Sequence, residues 1–164
     1  ILTSSFFMSR ILEKNTEDHT ETYNFQNVKR WIKNDLFEKD KFILPINLGN
    51  THWATGTIFF QDKRIKYFDS KWNDGSDKLN ILFQFVKDAW KELNNGETLP
   101  DMELWKLEGS NENTPQQTNE HDCGAFCCMF ALKIAKGEQF NFSQSDIPNF
   151  RIEISNTINR HNIT

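Results

Sequence analysis

Apolar residues fall near helical spacing at Leu2, Phe6, Phe7 and Ile11, in ILTSSFFMSRILEK, and predict a first helix. The polar run NTEDHTET, residues 15–22, reads as a loop. In NFQNVKRWIKNDLF, Val28, Ile32 and Leu36 lie four apart and predict a second helix. The period then changes. KFILPINLG and HWATGTIFF are rich in β-branched and aromatic residues and predict strands, QDKR a turn, and RIKYFDS a returning strand. KWNDGSD is a loop by its Asn, Asp and Gly content. From Asp77 to Leu93, Leu79, Leu82, Phe83, Val86 and Trp90 mark a helix that Ser76 or Asp77 can cap. MELWKLEG predicts a short strand, and SNENTPQQTNEHD a long polar loop. Cys123 to Lys136 is an apolar helix that Gly137 ends, and a last helix runs from about Ile147 to Asn162. Helices, then strands, then helices make an α+β order.

At 164 residues the chain suits one domain, 1–164, with enough length to bury a core. A hydrophobic share of 37% and a charged share of 26% fit a soluble globular chain, and fifteen Phe with five Trp predict an aromatic core. The net charge of -4 argues against general nucleic-acid binding, and the longest apolar run, Ala125 to Leu132, is too short to span a membrane. The chain opens on Ile1 inside an apolar pattern, so it is expected to be a catalytic fragment lacking an upstream region.

All three cysteines crowd into TNEHDCGAFCCMF. Cys127 and Cys128 are adjacent and ill-suited to bridge each other, so the pattern favours a reducing compartment over a disulfide framework. The spacing also lacks the paired C-x-x-C of common zinc motifs, so no metal is expected. Cys123 follows a polar loop and opens a helix, whose N-terminal partial charge favours a thiolate. Gly124 leaves room beside it, while Cys127 and Cys128 read as core filler.

A thiol nucleophile needs a base. His19 lies in a polar loop, His161 near the end of the chain, and His121 too close along the chain to face Cys123. His52 starts a strand, a rigid place for chemistry, although a plain polar strand start is the alternative. In a hairpin turning on Asp62-Lys63, residue 56 opposes Asp69, and His52 shares its face with Asp69. The two are then a few residues out of register, and a bulge or longer turn would have to join them. Such an Asp would orient the imidazole; its alternative is a strand-end turn residue.

These residues resemble the SUMO-specific (ubiquitin-like-specific) cysteine proteases. The resemblance runs through VKRWIKNDLFEKDKFILPINLGNTHWATG, IKYFDS, TPQQTNEHDCGAF and FNFSQSDIPNFR, which is nearly the whole chain. It implies a papain-like fold: a central, mostly antiparallel sheet flanked by helices, with the nucleophile at the N-terminus of a buried helix. It implies a triad of His52, Asp69 and Cys123, with Gln117 rather than Gln116 completing an oxyanion hole beside the Cys123 N–H. Trp53 should wall a tunnel that admits only Gly-Gly. The family's facing Trp, in an N-terminal W-L-N-D motif, has no counterpart in ILTSSFFM. Glu120 and His121 also depart from the family's usual residues before Asp-Cys-Gly, where the substrate tail or target lysine passes.

The implied activity is cleavage after the C-terminal Gly-Gly of SUMO, for deconjugation from lysines and for precursor processing, without a cofactor. The implied partner is SUMO or another ubiquitin-like protein and its conjugates, with no membrane or direct nucleic-acid partner. A monomer is expected, in the nucleus or nucleocytoplasm. The alternatives are a deubiquitinase or deneddylase on the same fold, a non-catalytic domain that binds a ubiquitin-like protein, and a metal-binding module resting on the cysteine cluster.

Overall fold

A computed structural model describes residues 1–14 and 20–161. The surface readings of His19 and of the His161 side chain fall outside what is described. The elements are helix α1 (Phe7–Ile11), a small antiparallel pair β1 (Leu12–Lys14) and β2 (Glu21–Tyr23), and strands β3 (Lys41–Leu48), β4 (His52–Phe59) and β5 (Arg64–Phe68). Helix α2 (Ser76–Leu93), strand β6 (Lys106–Glu108), and helices α3 (Cys123–Lys136) and α4 (Ile147–His161) follow. The predicted α+β order holds.

The main sheet runs β3-β4-β5-β6, antiparallel except for the parallel β5–β6 pair. The alternation of β4 sends successive side chains to opposite layers. A Cβ on Gly56 would meet Leu82 of α2 at 3.0 Å, while Thr55 Oγ1 donates to the Cys127 carbonyl of α3 at 3.2 Å. Helices cover both faces, and Ala54 to Ile58 are buried throughout. On the α2 side, Leu44, Ile46, Ile58 and Tyr67 pack with Leu82, Phe85 and Val86. On the α3 side, Phe126 and Phe130 pack with Ile43, sealed by Phe68, Phe140 and Phe142.

Several local expectations are corrected. The helix predicted over Val28–Leu36 is a series of 3-10 turns at Phe25–Asn27, Lys29–Trp31 and Leu36–Glu38. These turns still bury Val28 and Leu36, so four-residue spacing was satisfied without an α-helix. The first helix is confined to Phe7–Ile11, because Ile1 and Thr3 bond to β3 instead: Ile43 N donates to Ile1 O and Thr3 N to Ile43 O. Part of the expected 15–22 loop, at Glu21–Thr22, pairs with β1. MELWKLEG contributes only Lys106–Glu108 as strand, after a 3-10 turn at Met102–Leu104. On α2 the buried stripe uses Phe85 and Ala89, while Phe83 sits half-buried against Trp105. Its N-cap is Gly75, not Ser76 or Asp77. Gly75 holds φ +66, and any Cβ there would stand 2.3 Å from the Tyr67 ring. That close approach fixes the ring of Tyr67, which matters for the site.

Candidate active site

The β4–β5 register pairs Thr55 with Phe68 and Gly56 with Tyr67. Continued outward, it sets residue 54 opposite Asp69 and leaves His52 on the same face, diagonal to Asp69. This is closer than the register expected from sequence, because the turn centres on Gln61–Asp62, one residue earlier: the Lys63 N–H donates to the Phe60 carbonyl at 3.3 Å, with Lys63 at φ 49. A diagonal pair is within reach of a histidine, so no bulge is needed. His52 Nε2 lies 2.7 Å from Asp69 Oδ1.

Asp69 is fully buried. A buried carboxylate must have its lone pairs satisfied. The Lys71 N–H donates to Oδ1 at 2.7 Å and the Tyr67 hydroxyl to Oδ2 at 3.0 Å. Burial and the adjacent Asp69 charge push the Tyr67 phenol well above its ordinary value, so it remains a donor. Ser110 Oγ accepts from the Asp69 N–H at 2.7 Å. The neighbouring Gly109 packs so tightly that a Cβ would stand 2.2 Å from the Asp74 carbonyl oxygen. The other ring nitrogen of His52, Nδ1, is buried and has no hydrogen-bond partner among the described residues.

The end of β5 is zipped to the loop before α3. Gln116 Nε2 donates to the Asp69 carbonyl at 3.0 Å, and Gln117 N to the Ser70 carbonyl at 3.0 Å. The Ser70 hydroxyl, itself buried, donates to Gln117 Oε1 at 2.6 Å. That contact turns the amide NH2 of Gln117 toward the cysteine loop, where it donates to the Asn119 carbonyl. Gln116 is thus a strut and Gln117 presents an oriented donor. Ser70 was not foreseen, because its role depends on a residue 47 positions away.

Cys123 is buried at the first position of α3, as expected. Gly124 abuts Trp53: a Cβ there would lie 3.7 Å from Trp53 Cδ1. The helix start therefore stands beside the beginning of β4, where His52 lies. Asp122, just before the cysteine, is also buried. Asn119 Nδ2 and Gln144 Nε2 donate to its Oδ2 at 2.7 Å each, and Arg151 donates to Oδ1 through Nε at 2.8 Å and Nη2 at 2.6 Å. The Asn119 bond, with those of Arg151 and Gln144, holds the Asp122 carboxyl down to about 2 against the opposing effect of burial. Arg151 therefore fastens α4 to the start of α3 and acts as a positioning residue. FNFSQSDIPNFR contained it, but nothing local announced its partner.

The other cysteines separate. Cys127 faces the sheet, accepting from Thr55 Oγ1 at 3.3 Å and donating to the Ala54 carbonyl at 3.2 Å, and burial pushes its thiol up to about 12. Cys128 is exposed, which corrects its reading as core. The next residue on a helix is turned about 100° away from a buried neighbour. His121 is exposed, and its carbonyl accepts from Arg151 at 3.1 Å. Among the described residues no three His, Cys, Asp or Glu converge as metal ligands, and no helix is long and apolar enough to cross a membrane. Trp53 is half-buried and borders a cavity of about 480 Å³ with Phe6, Met8, Gly49 and Asn50. Phe6, largely exposed, lines the same cavity as Trp53 and was not foreseen as part of it.

Residues 1–163 match the model of the Ulp1 protease family, C-terminal catalytic domain. Human sentrin-specific protease 2 is 30% identical over 162 residues, covering 90% of this chain and 27% of that protein. Putative ubiquitin-like-specific protease 1B of Arabidopsis thaliana is 31% identical over 144 residues, covering 84% of this chain and 41% of that protein. The chain thus spans less than half the length of these curated relatives. The C-terminal Ulp1 protease domain in complex with Smt3, the yeast ortholog of SUMO, superposes with a TM-score of 0.69 at 27% identity, over 92% of this chain and 63% of that one. With the papain-like arrangement of sheet, flanking helices and cysteine-bearing helix start in place, this chain belongs to the Ulp1 protease family.

Proposed function

We propose that this chain is a catalytic domain of a thiol protease that cleaves after the C-terminal Gly-Gly of SUMO, releasing it from target lysines and trimming its precursors. Cys123 is the nucleophile, His52 the acid–base, Asp69 its orienting partner, and Gln117 with the Cys123 N–H the oxyanion hole. The observation that carries this reading is the His52 ring: one nitrogen is tied to a buried carboxylate and the other is buried without a partner. That leaves one ring nitrogen free to exchange a proton with a group at a helix that opens on a cysteine.

The Cys123 thiol gives its proton to His52 as its sulfur attacks the glycine carbonyl; the S–C bond forms, the C=O π bond opens, and the oxygen takes the negative charge between the Gln117 NH2 and the Cys123 N–H. Collapse breaks the C–N bond, and His52 passes its proton to the departing amine. Water then adds to the thioester, releasing a carboxylate and restoring the thiol. Losing one oxyanion donor costs about 3–4 kcal/mol. Trp53 and Phe6, bordering one cavity, support a slot for side-chain-free glycines. A nuclear or nucleocytoplasmic site of action is inferred from the family resemblance, and imaging of the tagged whole protein tests it.

SUMO and ubiquitin probes carrying C-terminal thiol-reactive groups test the function, with Cys123→Ala as control. Covalent capture of SUMO by the parent chain alone is expected. Capture of ubiquitin and not SUMO would overturn the substrate, and capture of neither would favour a binding domain.

A further inference from the structure

The indole of Trp72 is 65% exposed, and the residue holds φ 62. The left-handed region costs an L-residue roughly 1–2 kcal/mol, and such strain persists where surrounding structure over-determines it, at ligand clamps and active sites. The over-determination here is visible. Gln116 Oε1 accepts from the Trp72 N–H at 2.9 Å while Gln116 Nε2 donates to the Asp69 carbonyl at 3.0 Å. The preceding N–H, of Lys71, is 2.7 Å from Asp69 Oδ1, the oxygen that also lies 2.7 Å from His52 Nε2. Lys71 Nζ pairs with Glu120, three residues before Cys123. Trp72 is thereby locked both to the acid and to the loop that carries the nucleophile.

The side of His52 on which it stands follows from the strand order β3-β4-β5. The Trp53 cavity lies toward β3, lined by Asn47 to Asn50 and by α1. Trp72 follows the end of β5, across β4 from that cavity. A substrate that lays its acyl glycine against Trp53 and continues past His52 would carry its departing amine toward Asp69 and Trp72.

We propose that Trp72 is a specificity-determining platform for the leaving-group side of the substrate, its indole receiving the methylene stem of the target lysine. This rests on the isopeptidase reading above. A lysine held in an isopeptide bond has no charge, so its apolar stem is the feature that an open ring can recognise. Lys71, the residue before Trp72, is already paired with Glu120, so neither charge is left over to set a charge preference.

Trp72→Gly removes the indole and relieves the backbone, whereas Trp72→Phe keeps an aromatic face. Both are compared with the parent chain on SUMO joined through an isopeptide bond to a peptide lysine, and on SUMO ethyl ester, whose leaving group is too small to reach the ring. Trp72→Gly is expected to lose about tenfold more kcat/KM on the isopeptide than on the ester, with Trp72→Phe recovering most of the difference. Equal fractional changes on both substrates, or no change, overturn the assignment. A parent chain that turns over neither substrate overturns the SUMO protease reading, and this inference with it.

Discussion

Two buried aspartates flank the site, and they are held in opposite ways. Asp69, at the end of β5, takes bonds from the His52 ring, the Tyr67 hydroxyl and the Lys71 N–H, none of them a permanent cation. Asp122, before Cys123, is clasped by the Arg151 guanidinium together with Asn119 and Gln144. On the proposed mechanism, the difference separates a working charge from a structural one. A carboxylate already neutralised by a guanidinium has little field left to stabilise an imidazolium, whereas one held by neutral donors keeps it. Asp122 is the acid nearest the cysteine in sequence, yet its charge is spent on fastening α4 to α3.

The contrast can be broken from either side. Asp69→Asn should lower kcat on a SUMO substrate by about 10³–10⁴-fold in steady-state kinetics while circular dichroism stays unchanged. Asp122→Asn should cost far less activity, and comparable losses would erase the distinction. Arg151→Ala leaves a buried carboxylate without its cation and should destabilise the fold by about 1–3 kcal/mol in urea denaturation, less than for a fully buried pair because Arg151 is half exposed. The double variant Arg151→Ala/Asp122→Asn should lose less than the sum of the two.

The pH dependence sharpens the same point. The Asp122 carboxyl lies at about 2 in the folded chain, below its ordinary value near 4. Its contribution is therefore complete above about pH 4 and is lost as pH falls toward 2, a change of about 1–2 kcal/mol. Melting temperatures across that window should drop less steeply for Asp122→Asn than for the parent chain. Tyr67→Phe removes one of the donors to Asp69 and should reduce kcat/KM about fivefold, near 1 kcal/mol. Smallest of all, Lys71→Ala removes a surface pair with Glu120 and should leave the urea-denaturation midpoint nearly unchanged.

Much of this site was legible before folding. The strand-start position of His52, the face it shares with Asp69, and the helix start at Cys123 all follow from period and punctuation, which are local properties. The hairpin register was not, because a turn centred one residue earlier displaces every pair, and the Phe60–Lys63 turn, with Lys63 in a left-handed conformation, sets that centre. The second predicted helix failed for a related reason. Apolar residues four apart satisfy consecutive 3-10 turns as well as an α-helix, and tertiary docking of Val28 and Leu36 decided between them. Cys128 was misread because adjacency in sequence says nothing about which side of a helix the sheet covers.

By itself the sequence determined the α+β order, the residue types gathered at the candidate site and the faces they occupy, since these depend on side-chain identity and on the fixed periods of helix and strand. Tertiary structure alone decided which aspartate is neutralised by Arg151, which glutamine is a strut and which presents its amide, and why Trp72 holds an exposed, left-handed position beside the site. Those outcomes depend on contacts between residues tens of positions apart, and no local pattern encodes the distance between them.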